Sequence, residues 1–162
     1  MANDATNGAA QQTAGPSLSA LVQYVKDFSF ENPNAPRIFG NQQQNPQISL
    51  QVNVSATQLS ETDVESVLTL EGKAEIAPDT LFVFELSYAG IFRIANVPAD
   101  QMAPVVMIEC PRLLFPFARQ IVADAVRNGG FPPLYIDPVD FVALYQQRMS
   151  ELQTEGASAP AS

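Results

Sequence analysis

Histidine and tryptophan are absent from these 162 residues, cysteine occurs once, and Lys plus Arg number 8 against 17 Asp plus Glu. Without histidine there is no Ser/His/Asp or Cys/His catalytic set and no zinc site of the usual Cys and His type. The lone Cys110 cannot close an intramolecular disulfide. A formal charge of −9 argues against nucleic acid as a partner, because that affinity comes largely from Lys and Arg releasing counterions along a basic face. An acidic chain prefers basic partners. No stretch approaches the roughly 20 apolar residues of a membrane span, and Met1–Gly15 lacks the basic segment and apolar run of a secretory signal. The expectation is a soluble, cytoplasmic protein without direct membrane insertion.

What is present is an even supply of apolar residues, 46% of the chain, enough for one core. Residues 1–17 and 153–162 are rich in small and polar residues and read as disordered tails around a single domain at 18–152. From Ile48 to Ala56 the alternation is unbroken: Ile48, Leu50, Val52, Val54 and Ala56 point one way, Ser49, Gln51, Asn53 and Ser55 the other. That is a strand with one face buried. Val64–Ile76 repeats it, with Leu68, Leu70 and Ala74 inward and Glu65, Thr69, Glu71, Lys73 and Glu75 outward; Ala77–Thr80 supplies a turn. Leu81–Ile94 places Phe82, Phe84, Leu86, Tyr88 and Phe92 inward, with Val83, Glu85, Ser87 and Arg93 outward. Val22–Glu31 sorts Tyr24, Phe28 and Phe30 away from Asp27, Ser29 and Glu31.

Helical spacing follows. Cys110 and Pro111 open a run through Leu114, Phe117, Ala118, Ile121, Val122, Ala125 and Val126 that stops at Asn128–Gly130, with Pro116 expected to bend or delay its start. A shorter helical segment fits Asp100–Ile108. Asp137 is the predicted cap of a last helix whose stripe is Phe141, Leu144, Tyr145, Met149 and Leu152. Strands followed by helices predict an α+β fold: a four-stranded antiparallel sheet with two main helices packed on one face.

Seven of the 17 acids, Glu61 to Glu85, fall in a segment whose only base is Lys73. The plain reading is a solvated sheet face; the sharper one is a docking surface for a basic partner, steered by long-range attraction. An acidic adaptor binding one folded basic partner is therefore one alternative. A carboxylate enzyme using Glu71 and Glu85 as acid and base is another, against which their outward positions argue. Phe39, in the loop from Asn32 to Pro46, is the aromatic most expected to be exposed. Cys110 reads as a small buried residue, and Gly129–Gly130 as a helix stop with no phosphate-loop Lys after it, so no metal, nucleotide or other cofactor is expected.

Tyr24–Pro36 (YVKDFSFENPNAP), Ala89–Ile94 (AGIFRI), Glu109–Pro133 (ECPRLLFPFARQIVADAVRNGGFPP) and Asp137–Phe141 (DPVDF) closely resemble the SecB protein-export chaperones across the whole predicted domain. The resemblance implies a cytoplasmic bacterial holdase without ATPase activity, not an enzyme, which keeps precursor proteins unfolded and passes them to the SecA translocase ATPase. It implies a homotetramer built as a dimer of dimers. It assigns SecA binding to Asp27, Glu31, Val83 and Glu85, assembly-sensitive positions to Phe84, Leu86 and Tyr88, and client contact to Ile38, Phe39, Phe141 and Leu144. A tryptophan often found in the family's crossover loop is missing where this chain reads GNQQQNP.

Overall fold

The computed structural model describes residues 14–40 and 45–158. Most of the predicted N-terminal tail, the tip of the crossover loop and the last four residues lie outside the described residues. Four long strands, β1 (Ser17–Glu31), β2 (Gln47–Gln58), β3 (Asp63–Ile76) and β4 (Asp79–Ala95), form one antiparallel sheet in the order β1-β4-β3-β2. Between β2 and β3 the Ser60 hydroxyl accepts from the amides of Thr62 and Asp63 at 3.3 and 3.1 Å, closing the turn. Ala77 and Pro78 turn β3 into β4. Residues 32–46 carry the chain from β1, on one edge, to β2, on the other, through a short 3-10 turn at Arg37–Gly40.

The alternation places Leu68, Leu70, Leu86 and Phe92 on one face, all fully buried, each worth about 1.5–3 kcal/mol relative to exposure. α1 (Ala99–Pro104) passes through a π-helical turn, Val105–Glu109, into α2 (Cys110–Asn128), which lies on that face with Leu114, Ala118, Val122 and Val126 buried against the sheet. The wide turn precedes Pro111, whose ring would clash with the Met107 carbonyl in a regular α-helix; accordingly the Cys110 amide reaches back to the Val105 carbonyl. The predicted fold class is the one observed.

Four details differ from expectation. Pro116 neither delays nor interrupts α2, because it sits on the exposed side, where the carbonyl it leaves unpaired can be hydrated. α3 (Phe141–Ala157) is capped by Asp140, not Asp137: its carboxylate accepts from the Ala143 amide at 3.0 Å, while residues 132–140 belong to no helix or strand. The same helix runs on through Ala157, past Leu152, the last residue of its predicted stripe. Lastly, register shifts in β1 between Ala20 and Val22 and between Val25 and Asp27 flip its parity. Tyr24, predicted inward with Phe28 and Phe30, pairs with Ala89 on the outward face.

Candidate functional site

The sheet presents two very different surfaces. On the outward face, antiparallel register sets Glu31 opposite Val83, Ser29 opposite Glu85 and Asp27 opposite Ser87. The four residues assigned to docking therefore share one patch at the β1–β4 end. The register also sets Glu71 directly opposite Glu85, adding a carboxylate the resemblance did not assign. Counting straight back from the β3–β4 turn would place Glu71 opposite Phe84; the bulge between Ala74 and Glu75 shifts the pairing by one. The alternation already puts Glu71 on this face, but that bulge hides its partner.

Charge is sorted along the face. Asp63 accepts from Nε and Nη2 of Arg93 at 2.8 and 2.9 Å, and Glu65 takes Lys26 at 2.7 Å and the Tyr24 hydroxyl. The Arg93 hydrogen bonds hold the Asp63 carboxyl below the usual carboxylate range, and Lys26 then Tyr24 do the same for Glu65. The Tyr24 phenol is pushed up to about 12 by burial and by its bond to Glu65. Lys73 pairs with Glu75. Asp27, Glu31, Glu71 and Glu85 have no ion-pair partner among the described residues, so unpaired negative charge gathers at the β1–β4 end, with Lys73, which lies opposite Val83, as the base beside it. Glu71 and Glu85 lie side by side on this open sheet face rather than in an enclosed catalytic pocket.

The inner side is aromatic. Phe82 packs against Phe30, Phe84 and Phe131, with ring centroids 5.8, 6.4 and 5.2 Å apart, and Phe39 extends the row onto Phe131 at 5.4 Å. Gly130, at φ +94°, both ends α2 in a conformation that suits glycine and leaves room for the Phe39 ring, which a Cβ would approach to 2.8 Å. Beside this row is an open groove of about 370 Å³ lined by Ile38, Pro46, Ile48, Ile76, Leu81, Phe82, Phe131 and the Pro132–Pro133–Leu134 run. Its floor continues along β2 through Ile48 and Leu50, which are 45% and 40% exposed although they point to the inner side.

The four residues assigned to client contact do not form one site. Ile38 lines the groove and Phe39, 37% exposed, stands at its end. Leu144 lines a second hollow, of about 450 Å³, between β2 and α3. Phe141 is buried edge-on against Phe115 and offers a client no surface, because α3 needs that ring to dock. Ile48 and Leu50, not assigned, are the better candidates; their alternation was plain, but periodicity does not say whether a helix covers the face. Phe84, Leu86 and Tyr88 are inward, as expected, and buried.

Cys110 is fully buried, and burial with the nearby Glu109 pushes its thiol up to about 12, which disfavours the reactive thiolate. Among the described residues no group of three or more acidic, Cys or His side chains is placed to hold a metal ion, and no helix is long and apolar enough to cross a membrane.

The family described as preprotein translocase subunit SecB matches residues 11–152. A protein-export protein SecB from Methylocella silvestris is 62% identical over 152 residues, covering 94% of each chain. Another from Azorhizobium caulinodans is 60% identical over 154 residues, covering 93% of this chain and 96% of its own. Among solved structures, the Mycobacterium tuberculosis Rv1957 SecB-like chaperone in complex with a ChAD peptide from the Rv1956 HigA1 antitoxin superposes with a TM-score of 0.64 at 11% identity, over 75% of this chain and 90% of that one. That is a likeness of fold. With the family match spanning most of the chain and relatives at this identity over nearly their full length, the chain belongs to the SecB family of protein-export chaperones.

Proposed function

We propose that this chain is an ATP-independent export chaperone of the bacterial cytoplasm, which binds precursor proteins while unfolded and delivers them to the SecA translocase ATPase. The observation that carries the reading is the open apolar groove between the crossover loop and β2, on the opposite side of the sheet from the unpaired carboxylates. Folding hides most apolar side chains of a client, so a groove lined by Ile38, Ile48, Leu81 and Phe131 favours the unfolded form by mass action and slows refolding without chemistry. The acidic patch around Asp27, Glu31, Val83, Glu71 and Glu85 suits a basic surface of SecA, with attraction that salt weakens.

Assembly as a dimer of dimers belongs to the same reading. In the single chain Leu113 and Phe117 of α2 are 45% and 53% exposed, and Val25 and Phe28 of β1 are 49% and 38% exposed. Exposed apolar side chains of this kind are what subunit contacts cover. The test is refolding of a denatured precursor: a stoichiometric excess of this protein should slow the rate at least tenfold, and an unchanged rate would end the proposal. An adaptor for one folded basic partner would leave refolding untouched.

A further inference from the structure

We propose that α3 is a displaceable strap over the free edge of β2, latched by Arg148, and that an extended segment of bound client replaces it on that edge; the client half of this inference rests on the chaperone reading above. β2 is an edge strand, and its ladder to β3 runs without a bulge from Gln47 to Gln58. The Arg148 guanidinium donates to the Val54 main-chain carbonyl and lies 3.4 Å from the Asn53 side-chain oxygen. The Val54 carbonyl therefore points away from β3.

In an unbroken antiparallel ladder the backbone groups alternate between the partner strand and the opposite side. Ile48, Leu50 and Val52 consequently share Val54's direction: their amides and carbonyls look out over the open edge while their side chains face the inner side. One edge thus runs continuously from the client groove, which Ile48 lines, to the hollow under α3, which Val52 and Val54 line. The first half is uncovered. The second is closed by α3.

The hold of α3 on the sheet is light. Phe141 is buried, and Leu144 and Tyr145 are partly buried against the core, but beyond Arg148 the helix turns Met149 and Leu152, 41% and 56% exposed, to solvent. A hollow of about 450 Å³ separates it from β2, and Arg148 has no carboxylate partner among the described residues. The latch is thus one side chain on a main-chain acceptor that an incoming strand would need, since a strand pairing at Val54 uses the same carbonyl. An extended client entering at Ile48 can lengthen its contact only by displacing Arg148.

Amide hydrogen exchange on the full chain tests this, with reduced, carboxymethylated α-lactalbumin as a permanently unfolded client. Without client, Arg148→Ala should speed exchange in residues 149–157 about tenfold, the loss of one charge-assisted hydrogen bond, and Arg148→Lys should restore part of the protection. With client, the wild type should lose protection in α3 and gain it at Ile48, Leu50, Val52 and Val54, and Arg148→Ala should bind client several-fold more tightly. Unchanged α3 exchange in Arg148→Ala overturns the latch. Client binding that leaves α3 and the Val52 and Val54 amides unmoved overturns the displacement. A wild type that binds no client overturns the chaperone reading itself, an outcome the client-free arm keeps apart from the latch.

Discussion

Ser66 illustrates how single positions in this chain trade stability against shape. It is fully buried between Ala56 and Gly90 in the sheet, and its hydroxyl has no hydrogen-bond partner among the described residues. Small residues there let α2 come close: a Cβ on Gly90 would sit 3.0 Å from Leu114. Ser66→Ala keeps that space and removes an unsatisfied polar group, so thermal unfolding should show a gain of about 1 kcal/mol. Glu71 and Glu85 pose the opposite trade. Like charges directly opposite in a sheet are destabilising, yet they supply unpaired negative charge at the β1–β4 end. Glu71→Gln should raise stability by up to about 1 kcal/mol and weaken SecA binding at low salt, both readable on one purified variant. A variant that gained stability with unaltered docking would remove Glu71 from the docking face.

At the scale of elements, β1 shows why the direction of the positions assigned to docking was easier to read than that of their surroundings. Asp27, Ser29 and Glu31 follow the second register shift, where two-residue alternation holds, so their outward direction is visible in the pattern. Tyr24 precedes it, and an inserted residue is invisible to periodicity; only the partner strand reveals it. The price of that flip is a side-chain cluster, Tyr24 and Lys26 on Glu65, that ties β1 to β3 across β4. Because the Glu65 carboxyl is held below its ordinary range, its contribution is present above the usual carboxylate pKa and is lost as pH falls through the depressed value. Glu65→Gln should accordingly lower the melting temperature at pH 7, with the difference from wild type shrinking toward pH 3.

Helices were legible in existence but not at their ends. Asp137 and Asp140 are both plausible caps by residue type, and what chooses Asp140 is the burial of Phe141 against Phe115, a contact distant in sequence. The same limit split the predicted client residues: Phe141 and Leu144 share a helix stripe with the right chemistry, but α3 consumes Phe141 for its own docking. Strand positions assigned to assembly have a related physical basis. Phe84 is 2% exposed within one chain, and its ring covers Gly72, where a Cβ would come within 2.2 Å. Phe84→Ala should cost about 3–5 kcal/mol in denaturant unfolding, the difference from wild type being the same at every protein concentration, as a protomer-core effect requires. Of the three, Tyr88 reaches nearest to the outside, its ring 6.4 Å from the exposed Phe117.

The whole molecule separates two kinds of attraction with one sheet. Apolar contact is gathered on the side of the crossover loop and β2, unpaired negative charge on the other at the β1–β4 end. Alternation makes this possible, since neighbouring residues in a strand serve opposite faces, so Glu85 can face a receptor while Phe84 and Leu86 build the core. Chemistry differs accordingly: client binding should tolerate salt, whereas docking should weaken as the Debye length contracts. The most direct test of this division is to measure, on a single Asp27→Arg, Glu85→Arg variant, the affinity for an unfolded precursor and for SecA side by side. The account predicts client affinity within about twofold of wild type and SecA affinity reduced at least tenfold; equal loss of both, or retention of SecA binding, would contradict it.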